Sequence, residues 1–174
     1  MAQELYRDIC DKFRFSKVYE QYAGDLGNFL YYKYGEALNP TDVMQDAFVK
    51  LWENCAKVKP DKVKSYLFTI ANNMMLNAHK HQKVVFKHQG VKPKDYTNES
   101  PEFLMRKEEF LTRYEKVLAG LKEEHRVAFL LSKVEGKTHQ AIADMLGVTK
   151  KVVEHRIYTA FNTLREQLED FRLR

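Results

Sequence analysis

The stretch from Lys137 to Arg165, KTHQAIADMLGVTKKVVEHRIYTAFNTLR, constrains the fold more than any other, because its punctuation admits a helix, a tight turn and a second helix. Thr138 is placed to cap a short helix with Ala141, Ile142, Met145 and Leu146 on one face. Gly147 stands where that helix must stop, since glycine takes φ > 0 without steric cost. Thr149 can cap a second helix whose apolar positions are Val153, Ile157, Ala160, Phe161 and Leu164, spaced i, i+4, i+7, i+8, i+11. The small Ala143 lets the two helices approach closely. Lys150, Lys151, His155, Arg156 and Thr159 lie between the apolar positions. Such a helix fits the major groove of DNA, where side chains meet base edges and cations neutralise phosphates.

Charge points the same way. The net charge is +5, yet Lys57 to Lys94 holds nine lysines against Asp61 alone, so that stretch is +8 and the remainder −3. A basic band of this kind suits a polyanion. Cys10 and Cys55 lack metal-ligand spacing and follow no secretory signal, so reduced, packed thiols are expected. His79, His81 and His88 have no fourth ligand in the sequence, and no metal is expected. Seven glycines, four prolines and no convincing strand pattern predict an all-α chain with no membrane span.

Helices are expected over residues 3–14 and 16–34, the latter with Val18, Tyr22, Leu26, Phe29 and Leu30 inward and Gly35 as its stop. Asn39 and Pro40 read as cap and first turn of a helix to about Asn54, with Val43, Ala47, Phe48, Leu51 and Trp52 on one side. Asp61 is a candidate cap for a helix over 62–83 carrying Tyr66, Leu67, Ile70, Met74 and Met75. Residues 84–100 break the periodicity and read as a flexible connection. Ser100-Pro101-Glu102 then restarts a helix to about Ala119, and another spans about 123–135, with Val127, Leu130, Leu131 and Val134 on one face and Gly136 as its stop. The domain reading is therefore 1–83, a linker at 84–100, and 101–174.

With NPTDVMQDAFVKLWENCAKV and SYLFTIANNMMLN in the first half and LKEEHRVAFLLSKVEGKTHQAIADMLGVTKKVVEHRIYTAFNTLRE in the second, the chain resembles the extracytoplasmic-function group of bacterial sigma factors over residues 10–168. A lone helix-turn-helix is weakly specific; this pair of segments in this order is strongly so. The resemblance implies a non-enzymatic promoter-specificity subunit, with no cofactor. Its first domain would bind core RNA polymerase through Asp42, Gln45 and Asp46, which share one helix face at i, i+3, i+4. The same domain would capture the opened −10 strand through Lys59, Lys62, Lys64, Asn72, Asn73, His79 and Lys80. Tyr66 and Phe68 are the candidate stacking aromatics, with Tyr66 weighted to the core. The second domain would read the duplex −35 element with Thr149, Lys150, Lys151, His155, Arg156 and Thr159. The linker would thread through the polymerase. An anti-sigma partner is implied, often membrane-bound, with the protein itself cytoplasmic.

The sequence departs from the family at Thr69 and Asn72, where arginines are frequent, at Asn77, and at Lys122, where proline is common. A stand-alone dimeric regulator would leave the Asp42–Gln45–Asp46 face and the lysine-rich segment without a task. No nucleophile–base pair, phosphate loop or metal spacing supports an enzyme.

Overall fold

A computed structural model describes residues 9–78 and 101–168, with side chains left out at 101–105. The chain divides into two compact units, Met1–Val84 and Val85–Arg174. Every regular element among the described residues is helical.

The first unit holds three helices. α1 spans Lys12–Tyr34 as one element, where two helices were expected. The Asp11 carboxylate accepts from the Arg14 N–H at 3.0 Å, so the cap falls at residue 11 and the helix runs unbroken past Phe15. The expected helical residues 3–8 lie outside the described residues. Gly35 ends α1 at φ 73°, its N–H donating to the Tyr31 carbonyl.

α2 spans Pro40–Glu53, with proline in its first turn as expected. Asn39 does not cap it through its side chain. It sits in the left-handed region at φ 46°, and its carbonyl receives the N–H groups of Asp42 and Val43. A 3-10 turn, Pro60–Lys62, follows, and α3 runs Val63–Ala78. Asp61 therefore lies inside the turn and is no cap.

The three helices pack on one another around Val18, Leu26, Leu30, Leu51, Val63, Leu67 and Met75, all essentially sealed from water. Each such side chain contributes roughly 1.5–3 kcal/mol by burial. Phe29 and Phe68 join them at a ring separation of 5.3 Å. Phe68 is therefore core and unavailable for stacking on a base, while Tyr66, weighted to the core by sequence, is only half-buried. Phe15 closes edge-on over Trp52 at 4.9 Å, leaving Trp52 38% exposed at the margin of the core.

Cys10 and Cys55 are not reduced thiols. They form a disulfide with Cα atoms 5.3 Å apart, joining the residues before α1 to the turn after α2. Cysteine spacing along the sequence does not report that the segments flanking α1 and α2 meet in space.

The second unit comprises α4 Pro101–Gly120, α5 Glu123–Lys133, α6 His139–Leu146 and α7 Lys150–Gln167. Thr138 and Thr149 cap α6 and α7 as expected, accepting from Ala141 N–H and Val152 N–H. Gly147 takes φ 67°, ψ 33°, the left-handed stop between them. Phe129, Leu131, Ile142, Leu164 and Leu168 form the sealed core, and Ala128, Ala143 and Ala160 let the helices approach. Ala141 and Val134 were placed inward by periodicity but are exposed; Val134 falls just after the last turn of α5.

Arg126 is the one charged side chain buried among the described residues, at 2% exposure. Its guanidinium donates to the Leu121 carbonyl at 3.0 Å and the Ala119 carbonyl at 3.4 Å. It thereby satisfies orphan carbonyls at the end of α4, where a cation also suits the helix dipole.

Candidate functional site

The exposed side of α2 carries Asp42, Gln45 and Asp46, and the sequence expectation that they share a face agrees with their common exposure. None of the three side chains has a hydrogen bond or ion pair among the described residues. Two carboxylates and an amide are thus presented as free acceptors. Val49, one turn further on, is 55% exposed. It was not singled out from the sequence, although its i+7 spacing from Asp42 was the available signal. The result is an apolar spot bordered by acceptors, which suits a partner surface carrying arginine and aliphatic groups.

α3 presents a different surface. Lys62, Ser65, Tyr66, Thr69, Ile70 and Asn73 line an open groove of about 280 Å³ along one helix stripe. The groove offers an aromatic ring, hydroxyls, an amide and, at its start, an ammonium. Lys59 and Lys62 are exposed and Lys64 half-buried. Lys62 lies 3.5 Å from Asp61 in an open ion pair.

The two adjacent asparagines part company. Asn73 is exposed on the groove. The Asn72 side-chain amide oxygen Oδ1 instead accepts from Lys33 Nζ and from the Tyr34 hydroxyl, each at 2.7 Å. Asn72 therefore ties α3 to α1, with Lys33 resting over the Phe29 and Tyr34 rings. His79 and Lys80 lie outside the described residues.

α7 divides cleanly into faces. Val153, Ile157, Ala160 and Leu164 are buried. The opposite stripe, at i, i+4, i+7, i+11, is Lys151, His155, Tyr158 and Asn162. Lys151 and His155 are exposed. Tyr158 is 65% exposed, and Val152 beside the stripe is 38% exposed. Sequence reasoning missed both, having looked for polar groups only. Lys150 and His139 flank Glu154 at 3.7 and 3.6 Å. The Thr159 hydroxyl donates to the His155 carbonyl, and the Thr149 hydroxyl serves as the cap.

Arg156 turns to the flank of α7, where it pairs with Glu124 at the start of α5; its side chain is 18% exposed. His125 stands edge-on to His155 with ring centres 6.5 Å apart. Burial pushes the His125 imidazole below its ordinary value, opposed by Glu124 and assisted by Lys122, His155 and Arg156. The protein thus presents three distinct surfaces: an acceptor face on α2, a polar–aromatic groove on α3, and a basic–aromatic stripe on α7. Among the described residues no cluster of three metal-ligating side chains occurs, and no helix is long and apolar enough to cross a membrane.

Comparison with known proteins identifies the two units by family. Sigma-70 region 2 matches residues 18–84, and Sigma-70, region 4 matches residues 111–164. The ferric citrate uptake sigma factor FecI of Escherichia coli K12 is 29% identical over 154 residues, covering 81% of this chain and 87% of its own. RNA polymerase sigma factor YlaC of Bacillus subtilis is 22% identical over 157 residues, covering 87% and 90%. Among solved structures, CnrH in complex with the cytosolic domain of CnrY aligns with a TM-score of 0.63 at 22% identity, over 99% of this chain and 100% of that one. RpoE in complex with the anti-sigma factor NepR, from Bartonella quintana, aligns at 0.55 and 20% identity, over 91% and 98%. At these identities the two structures speak for the fold alone.

Proposed function

Because the chain belongs to the extracytoplasmic-function group of RNA polymerase sigma factors, we propose that its three surfaces divide the labour of promoter-specific initiation. Asp42, Gln45 and Asp46, centred on Val49, dock the first unit on core polymerase. Their lack of any partner among the described residues carries this assignment: hydrated carboxylates and an amide beside an exposed valine are available to arginines of a partner helix.

The α3 groove takes a base of the displaced −10 strand. Melting exposes unstacked bases, and an aromatic wall with nearby amide and hydroxyl groups offsets the loss of stacking. Tyr66 stacks, Asn73 and Thr69 offer polar contacts, and Lys59, Lys62 and Lys64 track the backbone, with His79 and Lys80 extending the track. Asn72 positions α3 and contributes to DNA only through its remaining amide N–H groups.

In the second unit α7 reads the −35 duplex. Lys150, Lys151 and His155 meet phosphate and base edges, and Thr149 and Thr159 border the contact. Arg156, held by Glu124, orients α7 and lies within reach of the flanking backbone. Residues 84–100 serve as the linker between domains 1–83 and 101–174.

Of the two solved structures of similar fold, one holds CnrH with the cytosolic domain of CnrY and the other the sigma factor RpoE with the anti-sigma factor NepR. We extend to this chain regulation by an anti-sigma factor covering the α2 face, and a cytoplasmic site of action.

Transcription in vitro with core polymerase, with and without the protein, on a library of promoter fragments tests the assignment. Initiation that depends on the protein and is lost with Asp46→Arg supports it. Unchanged transcription with Asp46→Arg would remove the α2 face from polymerase docking.

A further inference from the structure

A disulfide is out of place in a protein that works beside polymerase and DNA, because cytosolic thiol buffers keep most cysteine pairs reduced; those that do form there are generally catalytic or redox-sensing. Cys10–Cys55 has further features of a regulatory bond. Both cysteines are half-exposed rather than sealed in the core, so small oxidants and reductants can reach them. They are the chain's two cysteines and have no other thiol with which to exchange.

Its position is what gives it consequence. Cys55 follows the last turn of α2, the helix whose outer face carries Asp42, Gln45, Asp46 and Val49. The Cys55 N–H donates to the Trp52 carbonyl, and the Asn54 side chain to the Lys50 carbonyl, so the turn is continuous with the helix end. The same turn opens the segment that carries Lys57, Lys59 and Lys62. Cys10 lies beside Ile9, which is 2% exposed, and one residue before the Asp11 cap of α1. The bond therefore clamps the start of α1 to the end of the docking helix. Phe15 meets Trp52 and Phe48 across the same junction without a covalent tie.

We propose that Cys10 and Cys55 are a reversible oxidation site whose disulfide form strengthens the binding of core polymerase by fixing the C-terminal end of α2. On oxidation both thiols lose their protons and the pair passes two electrons to an oxidant. With hydrogen peroxide the products are the disulfide and two waters; with a low-molecular-weight disulfide, two small thiols. A dithiol reductant returns two protons and two electrons and releases the clamp. The oxidised protein presents the docking face on a fixed helix end, whereas in the reduced protein that end keeps its hydrogen bonds but loses the covalent tie, so its remaining motion must be restricted when polymerase binds. The inference rests on the sigma-factor reading above.

The test uses the full chain, oxidised with hydrogen peroxide or reduced with dithiothreitol and freed of reagent before mixing with core polymerase. Mass change on iodoacetamide treatment counts the free thiols. The expected result is no free thiol after oxidation, two after reduction, and a Kd for core polymerase weaker in the reduced form by on the order of fivefold or more. Cys10→Ser should match the reduced wild type under both treatments, with its helical circular dichroism retained. The reduced wild type tests the same point without any substitution. Equal Kd values for the two wild-type forms, two alkylatable thiols after oxidation, or a Cys10→Ser protein as tight as the oxidised wild type would each overturn the switch. Failure of both forms to bind polymerase would instead overturn the docking assignment on which it rests.

Discussion

Arg126 offers the most demanding test of how the second unit is held together. The residue is 2% exposed, and its guanidinium donates to the Leu121 carbonyl at 3.0 Å and the Ala119 carbonyl at 3.4 Å. A charged donor to a buried carbonyl contributes about 1.5–3 kcal/mol, and the longer bond belongs near the bottom of that range or under it. Burial alone pulls the Arg126 guanidinium below its ordinary value, with Glu123 pulling it back, so part of the gain is offset by desolvation. Arg126→Ala removes both bonds, leaves the carbonyls without these donors and opens space where the aliphatic stem packs. The expected loss is about 3 kcal/mol. Arg126→Met keeps the stem and should lose about 2 kcal/mol, the bonding share alone.

The assay exploits the single tryptophan, Trp52, which lies in the first unit. Urea unfolding followed by far-ultraviolet circular dichroism reports both units, while Trp52 fluorescence reports the first. The variants should move part of the dichroism transition to lower urea and leave the fluorescence transition in place. A loss below about 1 kcal/mol for Arg126→Ala would refute the reasoning, showing that water replaces the guanidinium at those carbonyls. A shifted Trp52 transition would refute the independence of the effect.

Other expectations follow from the surfaces. Asp46→Arg places a cation where polymerase arginines are expected and should weaken core binding by about 2 kcal/mol or more, roughly thirtyfold, with the dichroism spectrum unchanged. Lys151→Ala should lower the salt slope of −35 duplex binding by about 0.9, one phosphate contact, as measured by fluorescence anisotropy across a salt series. Arg156→Ala should instead show most of its effect as reduced stability of the second unit, through loss of the Glu124 pair; a full unit of lost salt slope would reassign Arg156 to phosphate. His125 has a folded-state pKa below its unfolded value near 6.5, so the unfolded chain binds more protons and stability falls as pH drops through and below that value. His125→Gln should flatten that part of the stability–pH curve measured by urea unfolding; an unchanged slope would assign it to another group.

The local structure was largely legible before folding was considered. Thr138 and Thr149 as caps, Gly147 as a left-handed stop and Pro40 in a first turn follow from the bonding needs of a few adjacent residues, and they appear where the sequence put them. The buried stripe of α7 and the exposed acceptors of α2 follow from helical spacing. The misreadings share one cause. Asn39 was read as a side-chain cap because asparagine is a good one, but its backbone adopts the left-handed region and its carbonyl bonds instead. Val134 fits the apolar period of α5, yet the helix ends at Lys133 and leaves it outside.

The sequence by itself determined that the chain is helical, where several helices begin and stop, and which two sets of motifs it carries, because these depend on contacts within a few residues. Tertiary structure decided the roles that require distant residues to meet. It turned Asn72 to Lys33 and Tyr34, paired Arg156 with Glu124 across 32 positions, and buried Phe68 while leaving Tyr66 on a groove. It also joined Cys10 to Cys55 across 45 positions, which no local pattern encodes, because a disulfide depends on where two helix ends meet in space.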